Sequence, residues 1–239
     1  MHIPIFLSLV CIAFLSGCSP NFKSAIDSVE VAVAFNQEKK ITPEYIASIP
    51  YANSLVTINN DFQVLMVLAY TDKNPVSNAT QLTWITSARE SIVTENGRII
   101  HTTGFYNNNL EELGGEKYHL PTPGSTTNWQ AVYDWSPGYR YNFSASVNSK
   151  SLSMETLSTP LWTQPAEHIQ EMVSFNSLDS EFINNFWIAQ KTSSTKAYII
   201  KSIQYLGPKM DKVEMLMMKP FIEPIQNSSL SSNTKDSES

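Results

Sequence analysis

Chemistry in this 239-residue chain has few reactive groups to draw on: 4 histidines, 2 cysteines and 22 acidic residues. Beyond the N-terminus, His101, His119 and His168 each stand alone. A metal site needs such side chains at recurring spacing, for instance two histidines one helical turn apart, so no metal ligand set is expected. Glu167 and His168 adjoin, but strand neighbours point to opposite faces, which separates acid from base. Gly114-Gly115 precedes Glu116-Lys117 without the strand–loop–helix setting of a phosphate cradle. Glu111-Glu112 reads as a solvated pair. The chain lacks G-x-S-x-G, a P-loop and G-x-G-x-x-G. No catalytic residue and no cofactor is therefore expected. Scattered carboxylates converging in a cleft, as in glycosidases, keep an envelope hydrolase or transferase as an alternative.

Aromatic residues give a denser signal. Trp129, Tyr133 and Trp135 share one face of a strand, and Tyr139, Tyr141 and Phe143 share one face of the next. Such a set would form a platform on which sugar rings stack, because an apolar ring face matches an aromatic one. The same alternate positions would equally fill a barrel interior. Arg140 and Asn142, on the other face, would meet a polar ligand or water.

The two cysteines sit near the N-terminus. Ile3 to Leu15 is a 13-residue run without a charge. That is short of the ~20 apolar residues a membrane-spanning helix needs, and fits the ~7–15 of a secretory signal. Leu15-Ser16-Gly17-Cys18 follows and resembles the lipobox of bacterial lipoproteins. The resemblance implies cleavage before Cys18, a diacylglycerol on its thiol and an acyl group on its new amine. Each buried CH₂ contributes ~0.8 kcal/mol, so two or three chains anchor a protein stably. Ser19, rather than Asp, after the cysteine points to the outer membrane, with the domain facing the periplasm. Cys11 leaves with the signal, so the mature chain has no thiol for catalysis or disulfides.

These features need elements to carry them. Phe22, Ile26, Val29 and Val33 recur at helical spacing and predict an amphipathic helix to about Phe35, lying on the membrane or packed on the domain. Thr42-Pro43 opens a short helix that Pro50 closes. Beyond it the period becomes that of strands. Phe62–Tyr70 reads as a central strand buried on both faces, and Gln81–Thr86 alternates. Ser91–Glu95 and Arg98–Thr102 flank Asn96-Gly97, a strong hairpin signal because both turn positions favour positive φ. Asn107–Gly124 reads as loop. Trp129–Trp135 and Tyr139–Val147 pair across Ser136-Pro137-Gly138. Further strands are expected at Leu152–Leu157, His168–Phe175, Phe182–Gln190, Ala197–Tyr205 and Val213–Lys219. The fold class is thus mainly β: a single antiparallel β-barrel-like or half-barrel domain behind a short N-terminal amphipathic helix. The expected divisions are a signal peptide over 1–17, a lipidated N-terminus and helix over 18–40, a β domain over 41–226 and a disordered polar tail over 227–239.

Several stretches in order resemble the YjbF/GfcB-type lipoproteins of exopolysaccharide and group 4 capsule operons. They are Ile49-Pro50-Tyr51-Ala52, Trp84 twelve positions before Asn96, and Ile92 through Ile100 with Asn108-Asn109-Leu110 beyond. Phe186-Trp187-Ile188 and a last strand ending at Lys219-Pro220 complete the set. Ala88 and Ala189 depart from the acidic residues expected there. The resemblance implies an outer-membrane-tethered, periplasm-facing β domain with a non-enzymatic accessory role in surface polysaccharide production or export. It implies polysaccharide-export proteins or the polysaccharide itself as partners, and carries over no catalytic residue. A glycan-binding module is the alternative from the aromatic strands. With 16 Lys+Arg against 22 Asp+Glu, net −6, the chain lacks the basic footprint of a nucleic-acid binder.

Overall fold

Thr42 caps a short helix, α1 (Pro43–Ser48): its side-chain oxygen accepts from the Tyr45 backbone N–H at 3.3 Å. Pro43 fits the first turn because its missing N–H would have no partner there. The computed structural model describes residues 41–61, 63–115, 120–125, 128–138, 140–193 and 195–223. The lipobox Leu15-Ser16-Gly17-Cys18, the helix expected before Phe35, Tyr139, His119 and the polar tail lie outside the described residues.

Twelve strands follow: β1 (Asn53–Ile58), β2 (Gln63–Lys73), β3 (Thr80–Ile85), β4 (Ser91–Glu95), β5 (Arg98–Thr103) and β6 (Asn109–Gly115), then β7 (Asn128–Ser136), β8 (Arg140–Ser158), β9 (Thr163–Phe175), β10 (Ser180–Ala189), β11 (Tyr198–Tyr205) and β12 (Lys212–Lys219). They form one antiparallel sheet in the order β5-β4-β3-β2-β1-β12-β11-β10-β9-β8-β7-β6. The first and last strands pair, Asn53 opposite Lys219 and Ile58 opposite Val213. Sheet neighbours are therefore sequence neighbours everywhere except at that joint, and the sheet edges are β5 and β6. Those edges meet through side chains. The Leu110 N–H donates to Thr102 Oγ1 at 2.9 Å, His101 Nδ1 lies 2.7 Å from the Glu111 carbonyl, and Asn109 bridges back to Phe105. The result is a nearly closed barrel, as the patterning predicts.

The interior is aromatic and aliphatic. Trp84, Phe175, Phe186 and Met215 are fully buried in it, and Trp135 Nε1 donates to the Leu206 carbonyl at 2.7 Å. Across this interior Arg98 of β5 grips Glu171 of β9 with both terminal guanidinium nitrogens, Nη2 reaching Oε1 at 2.8 Å. Ser149 donates to the same carboxylate and the Pro121 carbonyl accepts from Arg98 Nε. Burying two charges is tolerable only when good geometry and further hydrogen bonds offset the lost hydration.

The last four residues of β10 are buried on both faces. Phe186 and Ile188 face inward, while Trp187 joins Ala166, Ala189 and Ile200 in a second cluster on the outer face. The β8–β9 ribbon covers that cluster, and Trp162 from its turn donates to the carbonyls of Met217 and Met218.

Two local expectations are corrected, and one further strand is found. Asn109–Gly115, expected as loop, is strand β6, since the edge of β7 offers it a ladder and takes Leu110 and Leu113 inward. Asn53–Ile58, for which the sequence predicts no element, is β1, held between β2 and β12. The two strands expected across Tyr139–Leu157 are one, β8, whose polar middle stays paired to β9, with Asn148 opposite Met172 and Ser151 opposite Ile169.

Candidate functional site: the barrel mouth

One end of the barrel is open. A cavity of about 820 Å³ lies there, within the range of small-molecule sites. Its floor is apolar, built from Leu82, Ile188, Ile199 and Met217 over the buried Trp84. Its rim is polar, carrying Lys73, Asn78, Thr80, Thr122, Lys196 and Glu223. The strands bring these residues together from positions 150 apart in the chain.

Each part of the rim has a local cause. The turn between β2 and β3 is built on Asn74, whose side-chain oxygen accepts from the N–H groups of Val76 and Ser77. Beneath it the buried Glu95 carboxylate accepts from Asn74 Nδ2 at 2.9 Å, Ser77 Oγ at 3.1 Å and Gln81 Nε2 at 2.8 Å. Three donors on one carboxylate fix the turn that presents Lys73, Asn78 and Thr80.

The β4–β5 turn forms the opposite lip. Asn96 and Gly97 have φ of 51° and 77°, the two positive values the Asn-Gly pair predicts. Glycine is required there for a second reason. A Cβ on Gly97 would lie 2.1 Å from Ile199 Cγ1, so the turn packs directly on β11. Asn96 Nδ2 donates to the Leu120 carbonyl and Gln204 Nε2 to that of Gly97, both at 3.0 Å.

The C-terminal segment after β12 supplies the third part. Glu223 lies between two lysines, Oε1 3.2 Å from Lys73 Nζ and Oε2 3.0 Å from Lys196 Nζ. Thr80 Oγ1 donates to the same carboxylate. Burial pushes the Glu223 carboxyl up, but the hydrogen bonds and charges of Lys196 and Lys73 outweigh it and hold it below the usual carboxylate range. The chain enters and leaves at this end too, since Asn53 and Lys219 are partners and Lys219 Nζ donates to the Ile49 carbonyl.

The sequence-derived sites fall elsewhere. Trp129, Tyr133 and Trp135 are buried, with Tyr133 stacked near Trp135 at 5.7 Å and edge-on to Phe175 at 5.2 Å. Burial pushes the Tyr133 hydroxyl far above its ordinary value. Phe143 packs on Trp135 at 5.2 Å. Tyr141 is exposed, because Asn142 adopts φ of 63° in a bulge and breaks the alternation that would have aligned it with Phe143. Among the described residues the hairpin thus presents no shared aromatic face: Trp129, Tyr133 and Trp135 are buried in the barrel. Arg140 donates to Asn108 Oδ1 and the Pro137 carbonyl.

His168 does meet a carboxylate, though of a different residue. Its ring lies 4.4 Å from that of Trp187, with Nδ1 2.8 Å from Glu155 and Nε2 2.9 Å from Asn185. The hydrogen bond from Trp187 Nε1 does most to hold the Glu155 carboxyl below its usual range. These residues tie β8 to β10 across β9. Glu167 points the other way, to Ser151 and Gln190.

Of the mouth residues, only Asn96-Gly97 carried a local signal. Lys73, Lys196 and Glu223 belong to no motif, and only the closure of the sheet makes them neighbours.

The class this defines is a twelve-stranded antiparallel barrel-like domain with a ligand-sized cavity at the end where β1 begins and β12 finishes. The model of one family, the group 4 capsule polysaccharide lipoproteins GfcB and YjbF, matches residues 26–218. The chain belongs to that family. It is 24% identical to the lipoprotein GfcB of Escherichia coli K12, covering 91% of this chain and 98% of GfcB. It is also 24% identical to the lipoprotein YjbF of the same strain, over 89% of this chain and 96% of YjbF. The crystal structure of the hypothetical lipoprotein YmcC from E. coli K12 shares the fold, with a TM-score of 0.67 at 23% identity, covering 82% of this chain and 96% of that one.

Proposed function

We propose that this chain is an outer-membrane lipoprotein, anchored by lipid on Cys18 and facing the periplasm. There it serves as a non-enzymatic accessory factor in making or exporting capsule or other exopolysaccharide. The observation that carries this reading is the order of parts: a lipobox ending at Cys18 directly before a domain that the capsule-lipoprotein model matches over 26–218. The mouth supports a binding role, because it sets a rim of polar and charged side chains over an apolar floor. The partners proposed are polysaccharide-export proteins or the polysaccharide.

Deleting the gene should lower surface polysaccharide, and the wild-type copy should restore it. A Cys18→Ser copy should neither restore it nor fractionate with the outer membrane. Full restoration by Cys18→Ser, or unmodified Cys18 in the intact mass of membrane-extracted protein, would overturn the anchored reading.

A further inference from the structure

The cavity at the mouth already contains a clue to its ligand. Glu223 is the sole acidic residue lining it among the described residues, and it sits where two ammonium groups and a hydroxyl converge. The chain itself shows that this position accepts a carboxylate. The contact is also easy to exchange. Lys73 and Lys196 are 57% and 62% exposed and Glu223 29%, and exposed ion pairs are weak because water competes for both partners. When Glu223 swings away, the rim changes from one net positive charge to two. In a chain of net charge −6 such a focus attracts an anion locally and not over the whole surface.

The rest of the lining specifies what accompanies the charge. Asn78 and Thr122 offer amide and hydroxyl groups to the same cavity, while the half-buried Tyr198 and Phe221 offer apolar ring surface. A sugar presents hydroxyls on its edge and C–H groups on its face, and so matches both. A fatty acid would match the lysines but strip water from the amides and hydroxyls without replacing it.

We propose that the barrel mouth binds a carboxylate-bearing sugar chain, and that Glu223 is its built-in competitor, seated between Lys73, Lys196 and Thr80 until a uronate displaces it. This rests on the polysaccharide reading above for its biological setting, but its chemistry is tested in isolation.

The test is calorimetric titration of tetragalacturonate into the full-length chain in nonionic detergent. Saturable binding is expected. The double variant Lys73→Met/Lys196→Met should bind about tenfold more weakly, the loss expected when a charged hydrogen-bond partner is removed. Its unchanged melting temperature would show that it folds. Glu223→Gln should bind several-fold more tightly than wild type. Methyl-esterified tetragalacturonate, which keeps the sugar and loses the charge, should bind about tenfold more weakly than the acid.

Equal binding of ester and acid would overturn the proposal, as would preference for decanoate over tetragalacturonate, or weaker binding by Glu223→Gln. Failure of wild type and Glu223→Gln alike to bind would also overturn it, while leaving the Cys18-dependent polysaccharide phenotype standing. A missing phenotype with intact titrations would remove the pathway and keep the site.

Discussion

Two carboxylates in this barrel are held by cations in opposite ways. Glu171 is fully buried and gripped by the fork of Arg98, which is itself 3% exposed and stacks over Trp129 and Phe186. Glu223 stands at the mouth between two lysines that reach it from solvent. A planar guanidinium fixes a carboxylate in one geometry, whereas an ammonium on a flexible stem acts as a point charge. Halving the buried pair strands a charge in the core, while opening the exposed one returns both partners to water. The wall of the barrel is locked and its mouth is exchangeable.

The comparison breaks most readily at the lock. Arg98→Met should lower stability by about 3–5 kcal/mol, because Glu171 stays buried without its partner. Urea denaturation reads this, and a loss below about 1 kcal/mol would show that the pair does not hold the wall.

Gly97→Ala lies between the two regions. Positive φ and the clash with Ile199 together should cost about 2–4 kcal/mol. Truncating the neighbour as well, in Gly97→Ala/Ile199→Ala, should recover part of that loss if the clash rather than φ dominates. A purely additive double variant would assign the cost to the backbone.

The smallest effect belongs to the mouth. Glu223→Gln should change stability by less than about 1 kcal/mol at pH 7, and less still at high salt. The folded carboxyl titrates below its ordinary value of 4.5. Its contribution is therefore complete above that value and disappears as pH falls through the lowered one, since the unfolded chain protonates first. Wild type and variant should melt apart at neutral pH and together in acid. A gap that widened on acidification would contradict the lysine contacts.

Much of the wall was legible because strands announce themselves by alternation and turns by residue type. Asn96-Gly97 marks a hairpin wherever it occurs, and the unbroken apolar run marks a central strand, buried on both faces over Leu65–Ala69 while Gln63 and Tyr70 meet water. The aromatic alternation of β7 was legible as well, but not its direction, because alternation separates two faces without saying which one is inside. β1, β6 and the middle of β8 escaped for the converse reason. Ser, Asn and Gly there give no period, and the strands exist because a neighbouring ladder offers hydrogen bonds to backbone that cannot be left unpaired. Nor did the hairpin reveal Asn142, whose bulge turns Tyr141 outward.

By itself the sequence determined the antiparallel class, the hairpins and the resemblance to capsule lipoproteins, all of which rest on neighbours along the chain. Only the tertiary structure decided that Arg98 meets Glu171, 73 residues away, and that Lys73 meets Glu223, 150 residues away. Contacts of that range depend on how twelve strands curl and where the ring of strands meets itself. A charged residue carries no mark of which distant partner that closure will bring to it.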